Sequence, residues 1–252
     1  MKVSLVIAVF ESYKVVARQL RHFKRITYYP DVEYILVDDG SDPPLHHENC
    51  GLQNLKILFT NDKRPWTQGL ARNMGAREAK GEFLLFTDID HIIPGSVIEA
   101  VRNFDGDKMV FERKFGILDV RGHIVSDLQS MLAFGLNPIR VKGRRGFSAG
   151  VHGNTYAIRK SIFEQMGGYN PVYCNDLPGG GGFHQGGKTM SEERNFNNKW
   201  DRLERRGKVK PHVMGPNIYF YPTGKWRTDG NNNPFGLFHS LSLEQVPQPL
   251  KR

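Results

Sequence analysis

Over residues 1 to about 105, short runs of β-branched and aliphatic residues alternate with stretches of helical spacing, and this alternation restricts the fold more than any other feature. Residues 3–10 form a near-continuous apolar run, the pattern of a strand buried on both faces. Residues 13–26 then place Val15, Val16, Leu20, Phe23 and Ile26 at helical spacing, with basic residues between them. Further strands are predicted at 32–37, 55–59 and 83–86. Helices are predicted at 67–79, closed by Gly81, and from Pro94 to about residue 104. This is the order of parallel βαβ units. Asp38-Asp39-Gly40-Ser41-Asp42 follows the second strand and Thr87-Asp88-Ile89-Asp90 the fourth. Open α/β sheets bind ligands at that edge.

The second half is less regular. Residues 108–125 predict two strands around a turn at Arg121-Gly122, and residues 154–166 a strand and then a helix that Gly167-Gly168 ends. Residues 177–187 are too dense in glycine for regular structure and read as a loop that a ligand approaches closely. Residues 190–206 predict a charged helix stopped at Gly207, and the tail reads as loop. With no repeat and no linker, the expectation is one domain of two fused halves, 1–105 and 106–252. A chain of 252 residues, 39% hydrophobic, can bury a core and still leave a cleft. No apolar run approaches the roughly 18 residues that span a bilayer. The apolar start is short, lacks a small-residue cleavage site before Glu11, Ser12 and Tyr13, and reads as a first strand. Cys50 and Cys174 are the two cysteines and have no metal-type spacing, which points to a reducing, cytoplasmic setting. A formal net charge of +9 favours polyanionic partners such as nucleotide phosphates, nucleic acid or an anionic membrane surface, and equally serves solubility.

Three motifs carry candidate chemistry. Asp88-Ile89-Asp90 offers two carboxylates at a strand end, able to hold a divalent cation and through it a diphosphate. The plain alternative is two aspartates in a surface turn. Asp38-Asp39-Gly40-Ser41 is either an ordinary Asp-Gly turn or a carboxylate placed to accept a hydrogen bond from a base or ribose. In residues 69–75, Gly69, Arg72 and Asn73 fall near one helix face, where Arg72 can reach a phosphate or form a common salt bridge.

The order of these motifs, and the roughly fifty residues between the aspartate pairs, resemble the family 2 glycosyltransferases of the glycosyltransferase-A fold. The matching residues are Val6-Ile7-Ala8-Val9-Phe10, Val37-Asp38-Asp39-Gly40-Ser41, residues 69–75, and Phe86-Thr87-Asp88-Ile89-Asp90 with Pro94 beyond. The resemblance implies an α/β fold, a Rossmann-like mixed sheet flanked by helices with a less regular acceptor-binding half. It implies a nucleotide-sugar donor, with UDP-sugar the first expectation, and Mn²⁺ or Mg²⁺. Asp38 or Asp39 would read the base, Gly69, Arg72 and Asn73 would border the donor, and Asp88 and Asp90, with Ile89 between them, would serve diphosphate and metal. The family's first strand usually ends Pro-x-Tyr-Asn. Ala8, Phe10 and Glu11 stand in those donor-contact positions here.

The resemblance extends to residues 153–161, to Phe163 and to Gly167-Gly168-Tyr169-Asn170. Beyond them the family often carries Gly-Glu-Asp, an aromatic residue and a helix ending Arg-Leu-x-x-x-Gly. Glu192-Glu193, Phe196 and Arg202-Leu203-Glu204-Arg205-Arg206-Gly207 are the counterparts, with Glu replacing the usual Asp and a longer span from Phe196 to Arg202. The implied reaction is a direct, inverting displacement in which a carboxylate removes the acceptor's proton. Glu193 is the first candidate base, Glu192 the second and Asp176 the third; a helix-start pair favoured by the macrodipole is the alternative for Glu192-Glu193. His239, in Phe238-His239-Ser240, is similar to the late histidine that completes the metal shell in several such enzymes, while His91 is expected to point away from the metal. Trp66 and the aromatics of residues 219–227 are either core and loop aromatics or faces on which a sugar or base stacks.

The acceptor stays open among glycan, lipid-linked sugar, protein and modified nucleic acid. Lys142-Gly143-Arg144-Arg145 and residues 202–210 can meet phosphates, so a DNA-modifying glycosyltransferase acting on hydroxylated bases is one alternative. An inactive nucleotide- or nucleic-acid-binding module is another, against which Asp88, Asp90 and Glu192-Glu193 stand. A nucleotidyltransferase would need a glycine-rich phosphate loop, which residues 9–14 lack.

Overall fold

Every residue of β1 (Val3–Val9) is buried, and a strand covered on both faces must lie inside its sheet. In the computed structural model, which describes residues 1–26, 29–46, 51–64, 67–119, 121–126, 148–174, 183–185 and 188–220, it does. Helix α1 (Tyr13–Ile26) connects it to β2 (Val32–Asp38), which leads to β3 (Leu55–Phe59). Helix α2 (Gln68–Glu78) then returns the chain to β4 (Phe83–Thr87) on the other side of β1. These four strands are parallel, in the order β3-β2-β1-β4. The winding direction reverses between β1 and β4, so a crevice opens beyond their carboxyl ends.

The second half continues the same sheet. A short β5 (His91–Ile92) and α3 (Gly95–Arg102) precede β6 (Lys108–Phe115). After β7 (Ile117–Leu118) and β8 (Ile124–Val125) comes β9 (Ser148–Arg159), antiparallel to both β4 and β6. The chain then passes through α4 (Lys160–Gln165), the hairpin of β10 (Phe183–Gln185) and β11 (Lys188–Met190), and α5 (Glu192–Arg205). Strands β12 (Val213–Met214) and β13 (Ile218–Phe220) both pair with β6, and β13 pairs with β5, giving the order β3-β2-β1-β4-β9-β6-β13-β5 with β12 beside β6. Register shifts between β6 and β9 fall at Val110/Glu112 and Arg113/Lys114. Such irregularities bend a strand and re-aim its side chains.

Side chains alternate across the sheet into two cores. Leu5, Ile7 and Val9 meet Val16, Leu20 and Phe23 of α1 and Val97, Ile98 and Val101 of α3. Val6 and Ala8 meet Ala71 and Ala76 of α2, and the same layer holds Phe163, Phe196 and Trp200 from α4 and α5. Among the described residues no helix is long and apolar enough to cross a membrane.

Three local expectations change. Residues 108–125 hold three strands, because β6 joins the main sheet and the turn at Arg121-Gly122 belongs to the small β7–β8 hairpin. Asp119 closes that turn by accepting from the backbone N–H of Arg121 and of His123, both at 2.8 Å. The glycine-dense stretch, expected to be irregular, includes β10, which pairs with β11 just beyond it. Trp66, Lys142 to Arg145, Asp176, His239 and the tail from residue 221 lie outside the described residues.

Helix α2 can approach the sheet because Gly75 has no side chain. A β-carbon there would stand 2.4 Å from Val6 Cγ1 and 3.1 Å from Val37 Cγ2. Gly75→Ala is expected to push α2 outward and lower stability by about 1–3 kcal/mol. The measurement is the urea midpoint at unchanged slope, and an unmoved midpoint would mean that α2 has room to spare.

Candidate active site

The loops beyond β1, β2 and β4 are held by specific contacts. Glu11 turns the chain at the end of β1 with φ of 45°, a left-handed conformation that costs a non-glycine residue strain, and its N–H donates to Ser41 Oγ at 3.0 Å. After β4, Gln19 of α1 donates from Nε2 to the carbonyls of Ile89 (3.1 Å) and His91 (2.6 Å). His22 bonds the carbonyls of Ile93 and Gly122, each at 2.9 Å. Helix α1 thus splints the segment that carries Asp88, Asp90 and His91.

Asp88 is the centre of the crevice. Its Oδ1 accepts from Arg72 Nη2 and from Gln68 Nε2 (3.0 Å), both on α2, and its Oδ2 lies 3.4 Å from His152 Nδ1. Burial opposes ionisation of Asp88, but Arg72, then His152, His91 and Gln68, outweigh it and hold the carboxyl down at about 2. Burial and the neighbouring Asp88 charge push Asp90 the other way, up to about 7. A carboxyl that its ionised neighbour keeps from ionising marks a place short of positive charge.

His91 does not point away. It sits with Asp88 and His152 in a group whose ligand atoms all lie within 4.8 Å of one another. Thr155 Oγ1 engages His91 Nδ1, and burial depresses the imidazole to about 3. His152 is also shifted down by burial, so both rings are neutral, the form that ligates a cation. His152 did not stand out in the sequence, although it immediately precedes the matched run that begins at Gly153. Neither did Arg113, whose guanidinium lies 5.0 Å from the Phe220 ring centroid. Burial lowers the Arg113 pKa, and the charges of Asp90, Asp88 and Glu193 oppose the shift.

Glu192 and Glu193 open α5 behind the N-cap Ser191, whose Oγ accepts from Arg194 N–H. Successive helical residues point about 100° apart, and the two separate accordingly. Glu193 turns to β9, where a β-carbon on Gly153 would stand 2.1 Å from its Oε1. Glu192 is buried toward α2, with its Cγ 3.1 Å from the corresponding point on Gly69, and burial raises its pKa. Among the described residues its Oε2 has no hydrogen-bond partner, nor do Nε and Nη1 of the fully buried Arg72.

The other expected donor residues divide. Both oxygens of Asp38 are taken by its own loop, Oδ1 by Ser41 N–H (2.9 Å) and Oδ2 by Leu45 N–H (2.5 Å). Asp38 therefore shapes the turn. Asp39 accepts from Thr67 (2.8 Å) and Thr60 (3.3 Å) on Oδ1 alone, and its Oδ2 has no partner among the described residues. Ala8 is buried in the core beneath the crevice, whereas Phe10 is 49% exposed. Gly69 lets Cys174, Tyr169 and Glu192 close in on α2. The Asn73 amide is engaged by the backbone: its Nδ2 donates to Tyr169 O (2.7 Å) and its Oδ1 accepts from Tyr169 N–H (2.9 Å).

A mixed sheet whose strand order reverses at a carboxylate-lined crevice defines an open-sheet α/β protein, and the comparisons narrow the class. Residues 4–167 match the model of glycosyl transferase family 2, and the chain belongs to that family. It is 28% identical over 106 residues to glycosyltransferase GlyG of Streptococcus pneumoniae, an alignment spanning 39% of this chain and 33% of the relative. It is 35% identical over 82 residues to an uncharacterized glycosyltransferase of Haemophilus influenzae, spanning 30% and 31% of the two chains. Those alignments therefore cover about a third of each relative's length. Among solved structures, S. aureus TarS 1–349 aligns with a TM-score of 0.53 at 17% identity, covering 88% of this chain and 60% of that one. The mannosyltransferase PcManGT from Pyrobaculum calidifontis, in complex with GDP-Man and Mn²⁺, aligns with a TM-score of 0.50 at 15% identity, covering 89% and 58%. The fold is that of the glycosyltransferase-A enzymes.

Asn73 tests the division between scaffold and donor site. Asn73→Ala removes two hydrogen bonds to the Tyr169 backbone and is expected to cost about 1–3 kcal/mol of stability. Nucleotide affinity, measured by calorimetry, should stay near that of the parent. A large loss of affinity at unchanged stability would return Asn73 to the donor site.

Proposed function

We propose that this chain is a glycosyltransferase that moves a sugar from a nucleotide-sugar donor to an acceptor hydroxyl, with inversion at the anomeric carbon. The observation that carries this reading is the meeting of Asp88, His91 and His152 at the β1/β4 crevice, with Glu193 set against the neighbouring Gly153. UDP is the first donor nucleotide to try, supported by a TarS structure in complex with UDP; GDP is the competitor, given GDP-Man in PcManGT.

One carboxylate and two neutral imidazoles fit a first-row divalent cation such as Mn²⁺ better than Mg²⁺, which prefers oxygen donors. With Nδ1 of His91 engaged by Thr155, Nε2 is the nitrogen left for the cation. When bound there, the cation neutralises charge on the departing diphosphate. Asp90 adjoins this set. Asp39, through its unpartnered oxygen, receives the base or ribose. Arg72 keeps Asp88 ionised and aimed. As the acceptor oxygen bonds to the anomeric carbon and the carbon–phosphate oxygen bond breaks, Glu193 takes the acceptor's proton and the nucleoside diphosphate leaves. Arg113, among Asp90, Asp88 and Glu193, limits the build-up of negative charge.

One observation favours a polyanionic acceptor, including hydroxylated DNA. Helix α5 carries Glu193 in its first turn and exposed Arg202 and Arg205 in its last, and exposed Arg206, Lys208 and Lys210 follow. Acceptor binding that weakens steeply with salt supports this; salt-independent binding points to a neutral glycan.

Glu193→Gln is expected to bind UDP with Mn²⁺ as the parent does and to lose about 10²- to 10⁴-fold in turnover. Parental turnover would remove Glu193 as the base. Thr155→Val is expected to weaken Mn²⁺ binding about 10- to 100-fold by freeing the His91 ring. Unchanged Mn²⁺ affinity in a calorimetric titration would place the cation elsewhere.

A further inference from the structure

Lys108 is a buried cation that the reaction outlined above does not use. It opens β6, is 4% exposed, and its Nζ lies 4.9 Å from the Tyr156 ring centroid, 5.0 Å from that of Trp200 and 5.9 Å from that of Phe196. Burial draws its pKa down to about 8, against the opposing charges of Asp201 and Glu204. An ammonium enclosed this way loses hydration that the rings return only in part, and a methionine would fill the same space without that loss. Its hydrogen-bond partner among the described residues is Asn197 of α5, with Nζ 3.0 Å from Oδ1.

That bond decides which way the amide faces. An ammonium only donates, so Asn197 must present its oxygen to Lys108 and its NH₂ to the opposite side. On that side is Gly153: Asn197 Nδ2 lies 3.4 Å from Gly153 O and 2.6 Å from where a Gly153 β-carbon would stand. Glu193 Oε1 reaches to 2.1 Å from the same point. Glu193 and Asn197 are four residues apart, neighbours on one face of α5. The amide donor and the carboxylate therefore converge on the backbone of the residue that follows His152.

We propose that Lys108 is a positioning residue which, by fixing the Asn197 amide, holds the Gly153 backbone and orients the Glu193 carboxylate toward the acceptor. The inference rests on the reading of Glu193 as the base. A purely structural lysine would leave the amide's orientation to other contacts and would affect stability and donor binding together.

Lys108→Met removes the ammonium and keeps the volume. The test uses the full chain with Mn²⁺ and two readouts: the ¹⁵N signal of the Asn197 side-chain NH₂, and UDP released from UDP-glucose with water as acceptor. The Asn197 signal is expected to move and its hydrogens to exchange faster in the variant. The kcat for UDP release should fall about ten- to a hundredfold with KM for the donor unchanged. Asn197→Ala should cause a similar fall, and adding Lys108→Met to it should cause no further one. An unmoved Asn197 signal, or falls that multiply in the double variant, would overturn the proposal. Glu193→Gln separates the two readings. If it leaves UDP release at the parental rate, the base assignment fails, while the amide signal still decides whether Lys108 orients Asn197.

Discussion

The contact between Arg72 and Asp88 is the constraint on which the site depends. Arg72 is fully buried on α2 and Asp88 stands at the end of β4, so one ion pair ties the helix layer to the strand end where the crevice opens. Buried charges are costly unless paired, and removing either partner would leave the other stranded. The pairing also has a direction. It occupies Oδ1 of Asp88, leaves Oδ2 toward His152, and keeps the carboxyl ionised although burial opposes this. Everything that brings α2 close to the sheet serves this contact. Gly75 lets the helix settle on Val6 and Val37, and Gly69 lets Tyr169 and Glu192 close over it. The orphaned atoms of Arg72 and Glu192 lie in the same layer, where the site has polar capacity left over.

A stack of aromatic rings supports that layer. Phe86, Tyr156, Phe163, Tyr169 and Phe196 lie ring to ring at 4.8–6.1 Å, and Arg72 faces Tyr169 at 5.6 Å. The Tyr156 and Tyr169 hydroxyls bond each other at 2.8 Å, so the two polar tips do not compete for Asp88 or Arg72. Because Phe86 sits two residues before Asp88 and Phe196 three residues after Glu193, the same packing that stabilises the core sets the distance between Asp88 and Glu193.

How much of this was legible follows from what buries each element. Strands β1, β2 and β4 are covered on both faces, so they appear as unbroken apolar runs, and the polar residues that end them stand out. Asp88 and Asp90 stood out that way, whereas Glu193 was named only through the resemblance to the family's Gly-Glu-Asp motif. His152 was not, because it lies in a long strand with a shifted register, where polar residues occur on both faces and alternation carries no signal. Asp38 and Asp39 could not be ranked, since only the loop's backbone shows that Asp38 is spent on Ser41 and Leu45. Asn73 fell on the same helical face as Arg72 by spacing, but its amide matches the Tyr169 backbone in both donor and acceptor, a pairing across 96 residues.

The distinction between Glu192 and Glu193 shows what a helix start does for a site of this kind. Both carboxylates gain from the positive end of α5, so the macrodipole cannot choose between them. Geometry separates them: one is buried in the layer shared with α2, within electrostatic reach of Arg72 and Cys174, and the other points across Gly153. A carboxylate with no room to exchange its proton with an acceptor cannot act as a base, however its pKa is tuned. Glu192 is therefore better read as a second negative group facing Arg72. The absence of a side chain at Gly153 is what lets its neighbour reach the crevice.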